Sequence, residues 1–484
     1  MRVALTRRTA SSARSSRRIQ GSSGGAFVAV GQRCDRAARS LACAHHPPPR
    51  KRSMRRRKVD SDETIVVAPE QRSPRSAQLL TRLLSLDREL GASKLLDVDQ
   101  QLDLAQRRLG PLSLGADSDL HLEGIRCLAR SIARDPSYDD LGRYMASHYI
   151  YGWVERYVRF EQDLADFPEI VDVPIARPLF LVGFGRTGST FLHHLLALDP
   201  RARAPRLWEL QEPSPPPRPE TYETDPRIGR LRSQSEFRSA VMPDLHKIHE
   251  FAVQAPEECQ LMMWHGPQHM ILGLRSPDYW QWFRGLSPSQ LDVLCAGYRR
   301  QVQHLQLFHR GGHWVSKSLA HAHFLPVLFK SFPDARIVRL HRDPCQIIPA
   351  LASLIAQLQI AYTPRIDFPD LGQRMLELFE QSMAGMMQAD EEARSDRFVD
   401  VVFDDLIKDP IATVRAVYAK FGYDCTAEFE NLMRRHLKTD SISRRFKHVY
   451  TLEQFGLSRA QVMARSEGYL SWVERRMGAR LCRP

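Results

Sequence analysis

Three things are scarce in this chain of 484 residues: paired cysteines, long apolar runs and, at one end, acidic side chains. The eight cysteines (Cys34, Cys43, Cys127, Cys259, Cys295, Cys345, Cys425 and Cys482) form no C-x-x-C and no close pair. That spacing argues against a zinc site and against a disulfide framework, and it fits a reducing, cytoplasmic compartment. No apolar run approaches the ~20 residues that a membrane span requires. The N-terminus also lacks the compact apolar stretch of a secretory signal.

Acidic residues are nearly missing from the first segment. Residues 1–58 hold 16 of the 69 Lys and Arg and a single acid, Asp35, which leaves 53 basic against 55 acidic residues for the rest. The net charge of +13 is therefore a property of the tail, and the globular part is not built to bind nucleic acid. A segment this rich in Arg, Ser, Gly and Ala cannot bury enough apolar area to offset chain entropy, so residues 1–75 are expected to be a disordered basic segment. Three readings of it stay open: an organelle transit peptide, a start codon placed upstream of a true start at Met54, and a basic tail that touches membranes or nucleic acid.

What is present is a change of periodicity. Residues 76–176 read as a helical N-terminal subdomain, with Leu79, Leu80, Leu83 and Leu84, then Tyr149, Trp153, Tyr157 and Phe160, at helical spacing. After Arg177-Pro178, the run Leu179-Phe180-Leu181-Val182 has the character of a buried parallel strand. Further strands are expected at 313–316, 335–340 and 398–403, each followed by a helical stretch. The fold expected for 177–484 is a three-layer, P-loop-like α/β domain with a mainly parallel central sheet.

The first strand runs into Gly183-Phe184-Gly185-Arg186-Thr187-Gly188-Ser189-Thr190. A strand, a Gly-bearing turn and a helix start make an anion site, because backbone N–H groups and the positive helix end converge there. The spacing nearly satisfies G-x-x-x-x-G-K-[ST], but Ser189 stands where the kinase lysine belongs. A kinase loop needs that lysine on its β and γ phosphates, so the cation inside this loop, Arg186, suits a donor without a γ-phosphate better.

Residues 178–200, followed by Trp208-Glu209-Leu210 and a proline-rich turn, resemble the bacterial-type sulfotransferases that use 3′-phosphoadenosine 5′-phosphosulfate (PAPS). The resemblance runs in pattern from about residue 80 to 470 and implies that Arg186, Thr187, Gly188, Ser189 and Thr190 bind the 5′-phosphosulfate. It implies that Arg342, in His341-Arg342-Asp343-Pro344, reaches the 3′-phosphate. The family's serine eight positions later is Ala350 here, and Ser353, one helical turn on, is the expected replacement. Ser316-Lys317-Ser318-Leu319-Ala320-His321 resembles a K-S-P-x-H segment and nominates Lys317 as a catalytic cation. Residues 447–457 resemble a late basic loop that closes over the donor.

Sulfuryl transfer needs a base for the acceptor hydroxyl and no metal, since positioned cations suffice. By position the resemblance nominates Glu209 as that base, with Glu257, Glu258 and His321 as rivals. The acceptor is expected to be a small, hydrophobic hydroxyl compound, because the stretch 246–283 carries Met262, Met263, Trp264, Met270, Tyr279, Trp280, Trp282 and Phe283. Two other readings remain at this stage: a P-loop nucleotide or small-molecule kinase, and an inactive sulfotransferase-like scaffold.

Overall fold

Leu179-Phe180-Leu181-Val182 carries no polar side chain on either face, and such a run is at home only where a sheet is covered on both sides. The computed structural model describes residues 64–66, parts of 77–85, and 96–482 apart from 111–113, 116, 243, 250, 263–272, 393–394, 440–446 and 479–480. The basic run 1–58 thus lies outside the described residues, as do Leu80, Leu83 and Leu84.

One departure from expectation falls within 1–75. Thr64–Val66 (β1), three β-branched residues in a row, pair in parallel with Lys447–Val449. The helical region follows: Val98–Leu109 (α1), Ser118–Arg134 (α2) and Asp140–Asp166 (α3). Asp97 and Asp139 cap the first and third by accepting from first-turn N–H groups. Trp153, Tyr157 and Phe160 of α3 are buried at the spacing read from the sequence. The apolar cluster under these helices also takes in Leu274 and Tyr279, so residues on both sides of position 176 share a core.

Beyond residue 176 the elements that matter for the site are β2 (Leu179–Gly183), α4 (Ser189–Leu196), β3 (Ala202–Arg203), α5 (Leu207–Gln211) and α6 (Pro226–Val241). They continue with α7 (Pro288–Gln306), β4 (His313–Lys317), β5 (Arg336–His341), α8 (Pro344–Gln359), α9 (Phe368–Glu392) and β6 (Phe398–Val402). The five strands β2 to β6 form one sheet in the order β3-β4-β2-β5-β6, with every pair parallel. All three later strands fall within two residues of their expected bounds.

Alternation along β2 splits the core into two layers. Phe180 and Val182 pack with residues of α7, α8 and α9, while Leu179 and Leu181 pack with Leu192, Leu195 and Leu196 of α4. Each such side chain, fully buried, contributes ~1.5–3 kcal/mol. This is the P-loop-like α/β arrangement. Chain order puts β3 on one side of β2 and β5 on the other, so a switch point lies at the carboxyl end of β2, where open α/β sheets bind ligands. Among the described residues, no helix is long and apolar enough to cross a membrane.

Candidate functional site

The turn after β2 owes its shape to two residues with positive φ. Arg186 has φ 71°, unusual for a residue with a side chain, and Gly188 has φ 87° as the residue before α4. A Cβ on Gly188 would lie 2.9 Å from Phe403 and 3.2 Å from Leu406, so space as well as φ demands glycine. Thr187 is buried and its hydroxyl donates to the Phe184 carbonyl at 2.9 Å, which closes the turn. No side chain caps α4, and its free first-turn N–H groups open towards a cavity that Gly188, Ser189 and Thr190 line.

That cavity has a volume of about 620 Å³ and receives two guanidinium groups. Arg186 Nη1 donates to the Ile248 carbonyl at 3.4 Å. Arg342 donates to the Arg186 carbonyl at 2.9 Å and to Gln346, and lies over the Phe403 ring at 3.9 Å from its centroid. Neither has a carboxylate partner within ion-pair distance among the described residues. Burial lowers the pKa of both, and Arg342 adds to the depression at Arg186. Two desolvated like charges on one cavity make an anion-seeking surface. Lys317, at the end of β4, is buried behind this wall rather than lining it: its Nζ donates to Thr190 Oγ1 at 2.9 Å and pairs with Glu258, and Thr190 and Glu258 do line the cavity.

The opposite wall carries His249, Glu257 and Glu258. His249 Nε2 lies 3.3 Å from Glu257 Oε2, and the same carboxylate accepts from the Glu258 N–H at 2.8 Å. Burial pushes the Glu257 carboxyl up, but His249, Lys317 and that N–H outweigh burial and hold it at about 2. Glu257 is therefore anionic and orients an imidazole at the cavity wall. Sequence reasoning missed His249; its only signal was a histidine eight residues before Glu257, which points nowhere until the chain folds.

The site thus joins a glycine-bearing turn at a switch point to two arginines that have no carboxylate partner among the described residues, with Lys317 hydrogen-bonded to Thr190 of the first helical turn. The sequence pattern of the sulfotransferase family matches residues 178–427, more than half of the chain. The chain belongs to the sulfotransferase family. Over 282 residues (57% of this sulfotransferase and 71% of the relative) it is 24% identical to omega-hydroxy-beta-dihydromenaquinone-9 sulfotransferase Stf3 of Mycobacterium bovis, and equally to Stf3 of Mycobacterium tuberculosis. Among solved structures, sulfotransferase STF1 of Mycobacterium tuberculosis superposes with a TM-score of 0.67 at 27% identity, covering 77% of this chain and 98% of that one. Sulfotransferase STF9 of Mycobacterium avium shares the fold with a TM-score of 0.70 at 24% identity, over 78% and 97%.

Within this sulfotransferase four expectations need correction. Glu209 is fully buried and does not line the cavity. Its carboxylate accepts from both Nη atoms of Arg203, from the Tyr222 hydroxyl at 2.5 Å and from the Arg206 N–H at 2.8 Å, so it is committed to an internal network out of a substrate's reach. Its place at the third position of α5 explains the last contact, since a carboxylate there reaches back to the N–H of the residue before the helix. His321 is buried against Cys259 Sγ at 3.1 Å, and burial lowers it to about 3. Ser353 is buried on α8 and its hydroxyl shares a hydrogen bond with His448 Nε2 at 2.8 Å, while Leu351 and Leu354 occupy the cavity wall. Of the Met- and Trp-rich stretch, Tyr279, Trp280 and Phe283 are core, and Met263, Trp264 and Met270 lie outside the described residues.

Proposed function

We propose that this sulfotransferase moves a sulfuryl group from PAPS to the hydroxyl of a mainly apolar acceptor. The observation that carries the donor half is the pair of carboxylate-free guanidinium groups, Arg186 and Arg342, on a cavity that also receives the N-terminus of α4. On this reading the N–H groups of 186–190 and the hydroxyls of Ser189 and Thr190 hold the 5′-phosphosulfate. Thr187 contributes its N–H and shapes the turn with its side chain. Arg342 takes the 3′-phosphate, and Ser353 acts at one remove by positioning His448.

The transfer forms one S–O bond and breaks another. The acceptor oxygen attacks sulfur, the bond to the bridging phosphate oxygen breaks, and adenosine 3′,5′-bisphosphate leaves. Lys317, seated on Thr190, places its charge where negative charge develops on that bridging oxygen. His249, oriented by Glu257, receives the acceptor proton. Glu258, paired with Lys317, holds it in place. Phe251, Leu261, Leu319, Leu351 and Leu354 give the cavity the apolar surface for the acceptor. The printed name of the relative Stf3, a sulfotransferase of an omega-hydroxylated dihydromenaquinone, supports a hydroxyl on an apolar body.

The test is transfer of label from radiolabelled PAPS to a panel of apolar alcohols. Wild type is expected to transfer, and His249→Asn to lose about 10²–10⁴-fold in kcat while still binding adenosine 3′,5′-bisphosphate. Nucleotide binding with no transfer to any alcohol would favour an inactive scaffold. Protection by ATP with Mg²⁺ in place of the bisphosphate would favour a kinase.

A further inference from the structure

A second cavity, of about 910 Å³, adjoins the first, and Phe251, Leu261 and Leu358 line both. It lies between α3, α6 and the proline-rich turn after α5, and neither the loop nor the cations described above enter it. Its size is that of a ligand site for a compound longer than a small alcohol.

The charges on its wall do not cancel. Four arginines, at 156, 159, 230 and 238, face two glutamates, at 155 and 212. Arg159 pairs with Glu155 at 2.9 Å and Arg230 with Glu212 at 2.6 Å. Arg156 and Arg238 are the remainder. Arg156 Nη1 reaches the Gln211 carbonyl at 3.3 Å, its guanidinium lies over the Trp153 ring at 4.9 Å, and its Nε is buried with no acceptor among the described residues. Arg238 lies over the Phe251 ring at 5.0 Å and forms no ion pair among the described residues.

Burying a guanidinium without an anion is costly, and stacking on an aromatic ring offsets only part of that cost. Burial lowers the pKa of both groups, and the more distant carboxylates, Glu212 and Glu155 for Arg156 and Glu257 for Arg238, offset this only in part. An incoming anion relieves the penalty and gains charge-assisted hydrogen bonds.

We propose that the acceptor carries an anionic oxygen group, a carboxylate or a phosphate, at the end remote from its hydroxyl, and that Arg156 and Arg238 bind it in the second cavity. The inference deepens the proposed function and rests on it: the hydroxyl lies at the donor loop, the apolar body passes Phe251, Leu261 and Leu358, and the anion sits against the two guanidinium groups.

The probes are ω-hydroxydodecanoate and its neutral counterpart α,ω-dodecanediol, with hydroxydodecyl phosphate as a third arm. Each is titrated into the wild-type protein saturated with adenosine 3′,5′-bisphosphate, and then assayed for kcat/KM with PAPS. The acid or the phosphate is expected to bind about tenfold or more tightly than the diol. That ratio should collapse in Arg156→Leu and in Arg238→Leu, while Arg156→Lys retains part of it. Bisphosphate binding by each variant shows that it has folded and that the donor site is intact. Which anion wins distinguishes a carboxylic acid from a phosphorylated acceptor. Equal binding of acid and diol, a ratio that survives both Leu variants, or no binding of any probe to bisphosphate-saturated protein would each overturn the inference and leave the donor reading standing. Failure of wild type to bind the bisphosphate would instead remove the donor reading, and this inference with it.

Discussion

Replacing Glu209 by glutamine separates two roles that the sequence alone does not distinguish. In the structure its carboxylate neutralises Arg203, whose side chain is 3% exposed, and holds the Tyr222 hydroxyl and the Arg206 N–H. Neither charge reaches solvent, so water and salt screen the pair little. Breaking such a pair by removing one partner costs about 3–5 kcal/mol, because the remaining charge stays buried. Against a typical total of about 5–15 kcal/mol this is a large loss. Urea unfolding of Glu209→Gln should show it as a lower midpoint with an unchanged slope. The double variant Arg203→Met, Glu209→Leu should recover much of the loss, since it leaves no orphaned charge. Transfer activity, measured well below the unfolding midpoint, should stay close to wild type. A Glu209→Gln protein with wild-type stability and transfer reduced a hundredfold or more would refute the structural role and restore Glu209 as the base.

Two further outcomes follow from the site. Gly188→Ala places a Cβ at φ 87° and against Phe403 at 2.9 Å, so it should cost about 1–2 kcal/mol by urea unfolding and weaken bisphosphate binding in calorimetry. Glu257 is held near 2 in the folded protein against an ordinary value of 4.5. Its stabilisation is therefore present above about pH 4.5 and is lost as the pH falls towards 2, for a total of roughly 3 kcal/mol. A Glu257→Gln protein should show a flatter stability profile over that window; a profile parallel to wild type would count against the ion pair with His249.

The α/β sheet was legible because its signal is local. A buried parallel strand must be apolar on both faces, and Leu179-Phe180-Leu181-Val182 has no other use. The turn after it was legible for the same reason: three glycines and an arginine lie within a few residues. The base was not legible. Arg203, Tyr222 and the Arg206 N–H converge on Glu209 only after folding, and position in a motif says nothing of them. His249 and Glu257 share one wall through the path between α6 and β4, which carries no periodic signal. Spacing placed Ser353 on the correct helix, but its hydroxyl is taken by His448, a partner 95 residues away. The Met- and Trp-rich stretch misled because large apolar side chains serve a core and a ligand site alike.

Binding of adenosine 3′,5′-bisphosphate tests the donor site most directly, because it requires no knowledge of the acceptor. At 100 times its dissociation constant a ligand adds about 2.7 kcal/mol to stability, enough to raise the melting temperature visibly. We expect the bisphosphate to stabilise wild type, Arg186→Ala and Arg342→Ala each to abolish most of the shift, and ATP with Mg²⁺ to leave wild type unchanged. A folded wild-type protein that ignores the bisphosphate, or arginine variants that respond to it as wild type does, would contradict the account.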